Sequence, residues 1–281
     1  ELLQMAAQGQ TFFYASGDGL AYVGAINSLT DDPYVTSVGG TKLDTTTNGT
    51  WKSEVVWNNG NGTNGSSGGV STFYSIPIWQ QNVNMSANGG STTFRNIPDV
   101  AMVGDNCYFF WNNGDQGGWW GTSIASPLWA GFTALVNQQA ASQGLPPVGL
   151  LNPAIYNIAG GPLYASCFHD IISGNNTNRF SNNEFFAQPG YDLCTGWGSP
   201  GTNLISALVS YGGTVWVDFN YTGTTQIGTF NAPFSTLAQA TSAVPFGGNI
   251  WIRSAGSSRE TMKISKSMSI HAYNGAATVG N

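Results

Sequence analysis

Ser123 stands where a loop meets a helix, in the run Gly121-Thr122-Ser123-Ile124-Ala125-Ser126-Pro127. A serine hydroxyl is a weak nucleophile until a base takes its proton and donors hold the oxyanion that forms. A position at a helix start exposes the hydroxyl and sets it at the positive end of the helix dipole. Gly121 leaves room for a substrate to approach. The competing role for Ser123, or for Thr122, is a plain helix N-cap. Histidine is the usual base, and the chain has two, His169 and His271. His169 adjoins Asp170, yet nothing around it matches a familiar Ser/His/Asp order, and His271 lies among short C-terminal strands and reads as structural. Asp18, in Ser16-Gly17-Asp18-Gly19, reads locally as a turn residue. Cys107, Cys167 and Cys194 have no zinc spacing. Cys167 and Cys194 flank one loop region and could pair in an oxidising compartment, which would leave Cys107 free; three buried thiols are the alternative. Trp119-Trp120, just before the serine, would line a pocket or, as clustered Trp more often does, lie in the core.

The elements that must position these residues are short. Gln4–Gln8 reads as a helix end, Thr11–Ala15 as an apolar strand followed by the Ser16–Gly19 turn, and Tyr34–Val38 as a second strand ended by Gly39-Gly40. Asn58–Gly69 is almost all Asn, Gly, Ser and Thr and reads as a flexible surface loop. Val100–Val103 reads as a buried strand. The clearest helix opens near Ser123, with Leu128, Phe132, Leu135 and Val136 on one face and Pro127 in the first turn; Gly144 and Pro146 mark its end. Asn203–Val209 reads as a short helix. Strands alternating with helices argue for an α/β sheet, largely parallel. Past Tyr211-Gly212-Gly213 the pattern changes to short period-two strands at Val215–Val217, Asn249–Ile252, Met262–Ile264 and Met268–Ile270, with a capped amphipathic helix at Ser235–Val244.

The bulk composition narrows the function classes. The chain has 281 residues, enough for one large core or for one domain and part of another. Only 8% of residues are charged, and glycine is abundant, which suits a loop-rich extracellular protein. Ten Trp and 15 Phe argue against disorder. The net charge of −6 leaves no basic stripe for nucleic acid and fits a protein that works in acid. No uninterrupted apolar run reaches the roughly 18–20 residues that span a membrane. The start, Glu1-Leu2-Leu3-Gln4, reads as a cut start, although a processed terminus would look the same.

Five stretches, in order, resemble the sedolisin family, the serine-carboxyl peptidases: Ser16–Gly19, Pro33–Thr41, Gly68–Ser71 with Trp79-Gln80, Arg95–Val100, and Gly121–Pro127. The resemblance covers about residues 1–211. It implies a subtilisin-like fold and peptide hydrolysis through an acyl-enzyme on Ser123, with Asp18 donating to the oxyanion. The family's base is a Glu supported by an Asp, on a helix upstream of the strand that ends at Asp18; that region is absent here, and neither Glu54 nor Glu184 matches its motif. This chain alone is therefore expected to be inactive. The resemblance also implies one structural calcium ion. Asp170 and Asp192 would give side-chain oxygens, and Ile171, Gln188 and Gly190 would give main-chain carbonyls, with Gln188 standing where the family usually has Gly. The last quarter of the chain resembles the opening coil of a right-handed parallel β-helix.

The expectation is then an α/β, subtilisin-like peptidase part over residues 1–211 and the start of a β-helix-like domain over 212–281. The implied partners are a protein or peptide substrate and, through the C-terminal segment, a polysaccharide or a surface. The rival is a non-catalytic, adhesin-like surface protein that displays a carbohydrate-binding β-helix.

Overall fold

The computed structural model describes residues 1–281 except 27, 86, 146, 182, 212, 213, 227, 229–231, 245–247 and 281. Pro146 and the Gly212-Gly213 boundary therefore lie outside the described residues. After α1 (Leu2–Ala7) come β1 (Phe13–Ala15), β2 (Gly19–Ala21), β3 (Thr36–Thr45), β4 (Trp51–Val56), β5 (Gly65–Ser75), β6 (Phe94–Ile97) and β7 (Val100–Val103). A hairpin of β8 (Cys107–Trp111) and β9 (Asp115–Trp119) leads into the 21-residue α2 (Thr122–Ser142). Then follow α3 (Asn152–Ala159), α4 (Tyr164–Cys167), the two-residue strands β10 (Phe168–His169) and β11 (Ser199–Pro200), and α5 (Leu204–Tyr211).

β3 organises the site. It pairs in parallel with β1 and with β7, and antiparallel with β4 through its second half. A second sheet joins β2 in parallel and β6 antiparallel to β5. The parallel α/β core expected from the pattern is present, with antiparallel strands at its margins. Gly39-Gly40 does not end β3, as the turn chemistry of glycine suggested; the strand runs through both. A Cβ at Gly39 would lie 3.0 Å from Cys194 O, Pro98 Cγ and Ser66 Oγ, and one at Gly40 would lie 2.9 Å from Trp57 and 3.3 Å from Thr122 Cγ2. These glycines serve close packing rather than turning.

The same reason corrects the loop expected over Asn58–Gly69. From Gly65 onward the small residues form β5, and Gly65–Gly69 is buried. The Ser66 hydroxyl donates to Cys194 O (2.8 Å) and accepts from Gly40 N–H (2.9 Å), so a polar side chain replaces a loop's water contacts. A Cβ at Gly68 would sit 1.7 Å from Leu193 O.

The turn between β6 and β7 is held by a buried ion pair. Arg95 donates from both terminal nitrogens to Asp99 (3.0 and 2.8 Å) and also to Val35 O, with both side chains fully buried. Asp99 accepts further from Ser37 N–H and the Tyr156 hydroxyl. Burial alone would push the Arg95 guanidinium down; Asp99 outweighs it and holds it above its ordinary value.

Helix α2 packs against β1, β3, β7 and α5. Its buried stripe is Thr122, Ala125, Ser126, Trp129, Thr133, Val136 and Ala140. Leu128 and Leu135, expected inside, are 43% and 54% exposed. Small side chains let the helix approach the sheet closely, and Trp129 fills the gap, its indole N–H donating to Ala101 O at 2.7 Å. Gly144, at φ +69°, terminates the helix as expected.

Beyond α5, β12 (Thr214–Val217), β13 (Gly248–Ile252) and β15 (Met268–Ala272) form a parallel sheet, and β14 (Gly256–Ser258) pairs in parallel with β16 (Ala277–Val279). Helix α6 (Leu237–Ala243) carries the expected cap: Thr236 and Gln239 form a reciprocal capping box. Met262–Ile264 is not a strand; it is connecting chain from which Met262 packs on Val217, Leu237, Ala240, Val244 and Ile250. These residues form a hydrophobic cluster of their own, separate from the cluster that Val38, Val100, Trp129, Leu151, Ile155 and Leu204 build with their neighbours.

Candidate active site

Parallel α/β sheets present their ligand sites at the carboxyl ends of the strands, and the chemistry-bearing residues collect there. β1 ends at Ala15, and the turn after it carries Asp18. β7 ends at Val103, and the next residue, Gly104, accepts from Gly121 N–H at 2.7 Å. That bond, made by the residue just before α2, fixes the helix start beside Asp18.

Gly121 is the N-cap, at φ +142°, a conformation that L side chains rarely adopt, and as glycine it brings no side-chain cap of its own. Neither Thr122 nor Ser123 is therefore the cap. Thr122 instead grips Asp18: its N–H and its hydroxyl both donate to Asp18 Oδ1, at 2.7 and 2.8 Å. The same hydroxyl accepts from Gly17 N–H at 3.1 Å. Asp18 Oδ2 accepts no hydrogen bond among the described residues. It points toward Gly121, where an added Cβ would be 3.2 Å away. Ser123 is exposed on the first turn of α2. It lines a cavity of about 380 Å³ with Asp18, Gly17, Tyr14, Tyr22 and Ser126. Burial pushes the Tyr22 phenol up, with Asp18 and Asp31 adding to it, so the hydroxyl stays protonated; it donates to Ser16 O at 2.9 Å.

The grip of Thr122 on Asp18 was not foreseen in the sequence. Thr122 was weighed only as a cap, and no local spacing links residues 104 positions apart. The clustered tryptophans also come out otherwise than expected: Trp119 and Trp120 are 57% and 47% exposed and line a pocket rather than the core.

No base reaches Ser123 among the described residues. His169 stacks on Trp51 (ring centroids 4.2 Å apart), and burial pushes it below its ordinary value, partly opposed by Glu54. Glu54 accepts from Trp51 (3.0 Å), Ser199 (2.5 Å) and Thr41. His271 stacks on Trp251. All three cysteines are free thiols, so the pairing of Cys167 with Cys194 is not formed; both are buried.

The five residues expected at a metal site converge on one loop cluster. Gly190 N–H donates to Asp170 Oδ2 (3.0 Å), and Gln188 N–H donates to Asp192 Oδ2 (3.1 Å). Asp192 Oδ1 accepts from Cys194 N–H, Thr195 N–H and the Thr195 hydroxyl. Burial pushes Asp192 up to about 7 against the pull of these donors. Asp170 Oδ1 is buried and accepts no hydrogen bond among the described residues, although the Tyr164 hydroxyl, which donates to Trp197 O, is pushed up by burial and then by the nearby Asp170. The carbonyls of Ile171, Gln188 and Gly190 accept no hydrogen bond among the described residues. No group of three or more His, Cys, Asp or Glu is placed to hold a metal among the described residues. An ion here would therefore be held by two carboxylates and main-chain carbonyls, an all-oxygen set that suits a hard cation such as Ca²⁺.

Comparison with known proteins bears on the peptidase reading. The chain is 37% identical over 218 residues to kumamolisin of Bacillus sp. (strain MN-32). It is 34% identical over 227 residues to sedolisin of Pseudomonas sp. (strain 101), and 30% identical over 236 to tripeptidyl-peptidase 1 of Canis lupus familiaris. A solved structure of Pseudomonas sedolisin, a serine-carboxyl proteinase in complex with two molecules of pseudo-iodotyrostatin, superposes with a TM-score of 0.60 at 31% identity. It covers 75% of this chain and 57% of that one. Across about three quarters of its length the chain has sedolisin-family homologues. No protein-family model matches it. The matches cover 74% of this chain but 36–39% of these sedolisin-family relatives, so the chain spans about two fifths of their length. Its sedolisin homologues are serine-carboxyl peptidases. No helix among the described residues is long and apolar enough to cross a membrane.

Proposed function

We propose that this chain is the nucleophile-bearing part of a secreted, acid-acting serine-carboxyl peptidase. Ser123 Oγ gives its proton to the base and attacks the scissile carbonyl; the C–N bond breaks, the amine leaves with that proton, and water then hydrolyses the acyl ester on Ser123. Asp18 donates from Oδ2 to the oxyanion. The observation that carries this reading is the pair of hydrogen bonds from Thr122 to Asp18 Oδ1. They occupy one carboxyl oxygen and leave the other, on the side of the nucleophile's helix start, as the place for a proton. A carboxyl can donate only while protonated, which ties turnover to acid. The N-terminus of α2 adds positive potential where the oxyanion forms. The base is a carboxylate outside residues 1–281, a Glu supported by an Asp; unlike histidine it stays usable at low pH. The substrate is a protein or peptide.

The test is turnover of the peptidase that carries this chain. Ser123→Ala is expected to abolish it, and Asp18→Ala to reduce it by about a hundredfold or more while the fold survives. Activity retained by Asp18→Ala removes Asp18 from the mechanism.

The Asp170–Asp192 loops are proposed to hold one structural Ca²⁺, supported by the orphaned Asp170 Oδ1 and the three unoccupied carbonyls. Calorimetry is expected to show one Ca²⁺ bound per chain, lost in Asp170→Ala; no heat of binding in the unaltered chain contradicts the site. The segment from residue 212 we read as the opening of a parallel β-helix, from the in-register pairing of β12, β13 and β15. The rings of Trp216, Trp251 and His271 pack on one another there, so their faces are not offered as a sugar platform.

A further inference from the structure

Ser123 lines two cavities. Beside the one it shares with Asp18 lies another of about 470 Å³, lined by Phe109, Phe110, Trp111, Trp119 and Trp120 with Ser123 and Ile124. No charged side chain lines it. The walls come from the β8–β9 hairpin, whose extensive packing among the described residues is only between its own two strands. Phe110 is 75% exposed and Trp119 57%. Opposite the aromatics of β8, the register places glycine twice: Phe109 faces Gly117, and Tyr108 faces Gly118. The second strand therefore sets no side chain opposite those two rings, while Gln116 faces Phe110 and Asp115 faces Trp111. Trp111 lies against Gly117, where a Cβ would be 3.1 Å from Cη2, and meets Trp119 edge-on with centroids 5.9 Å apart. Trp120 is braced in turn by Trp57, at 5.5 Å. Aromatic surface left uncovered beside a reactive group, and continuous with it, fits a substrate subsite better than an unfinished core.

We propose that this hairpin sets the specificity of the site by taking one large apolar or aromatic side chain of the peptide, while the backbone of that peptide lies across Ser123. This rests on the reading of Ser123 as the nucleophile. The walls offer offset and edge-on ring contacts. They also penalise an acidic side chain, which would lose water and meet the negative faces of the rings.

The experiment uses the full chain carrying Ser123→Ala, so that no turnover confuses binding. The probes are blocked polyalanine peptides with a single phenylalanine placed at successive positions, and a parallel set with glutamate. Calorimetry is expected to show about a tenfold or greater gain in affinity for phenylalanine at one or two adjacent positions, and none for glutamate. Phe110→Ala combined with Trp119→Ala is expected to erase the preference. Asp115→Ala, on the same hairpin but outside the pocket, is expected to keep it. A flat scan, an absence of binding by every peptide, or a preference that survives the double substitution overturns the proposal. The two readings fail separately. If Ser123 of the unaltered peptidase forms an adduct with a peptide aldehyde and the scan is flat, the pocket alone is wrong. If the scan shows the preference and Ser123 forms no adduct, the nucleophile reading is wrong and the pocket stands.

Discussion

The two oxygens of Asp18 have different surroundings: Oδ1 takes two donors from Thr122, and Oδ2 takes none among the described residues. On the proposed mechanism the Thr122 hydroxyl is a positioning group, since by occupying Oδ1 it leaves Oδ2 to carry the proton. In the peptidase that carries this chain, Thr122→Val is expected to lower kcat about ten- to hundredfold with little change in KM. Thr122→Ser, which keeps the hydroxyl, should restore most of it. A valine variant with unchanged kcat shows that the hydroxyl only packs. Ser123 itself was legible in the sequence as a helix-opening serine, and Asp18 as a turn aspartate. Their association came from the resemblance of ordered motifs. The hydrogen bonds that tie Asp18 to Thr122, the residue before Ser123, came only from the fold, since β1 and α2 pack together in a way that no local pattern encodes.

At the scale of elements, the strands before the nucleophile depend on close approach and on one buried ion pair. Asp99→Ala would leave Arg95 charged and unpaired with no exposure, at a cost of about 3–5 kcal/mol. Denaturant unfolding should show that loss; a cost under about 1 kcal/mol would mean that the pair is not structural in solution. Gly68→Ala is expected to prevent β5 from seating, because the added carbon falls 1.7 Å from Leu193 O. The measure is soluble yield and melting temperature against the same change at exposed Gly60, whose left-handed backbone strains any side chain but whose surroundings are open. Such positions explain where the sequence misled. Gly39-Gly40 and Gly65–Gly69 carry turn and loop composition, yet they are strand residues chosen for lack of volume. Leu128 and Leu135 carry helix-core composition, yet small residues take the buried face of α2. The elements that were legible, β7, the start and end of α2, and the capped α6, are those whose signals are local.

At the scale of the molecule, acid is expected to act on the C-terminal cluster. Burial pushes Asp218 and Glu260 up, but other contacts outweigh it and leave both below their ordinary values. For Asp218 these are Ser254, Asn220 N–H and Arg253; for Glu260 they are the N–H groups of Ala238 and Leu237 and the hydroxyl of Ser258. A carboxyl depressed in the fold adds stability that is complete above its unfolded pKa and is lost as pH falls through the folded one. Stability here is therefore expected to decline below about pH 4. Protection of the Leu237 and Ala238 amides, taken as intrinsic over observed exchange rate, should fall in that range, and Glu260→Gln should flatten the dependence. Protection unchanged down to the acid limit would deny Glu260 that role. The central claim, that Ser123 attacks while Asp18 holds the oxyanion, is met most directly by a crystal structure of the peptidase that carries this chain, bound to a peptide aldehyde in acid. The account predicts a bond from Ser123 Oγ to the aldehyde carbon and a hydrogen bond from Asp18 Oδ2 to the resulting oxygen. An adduct on any other residue, or an oxygen turned away from Asp18, would contradict it.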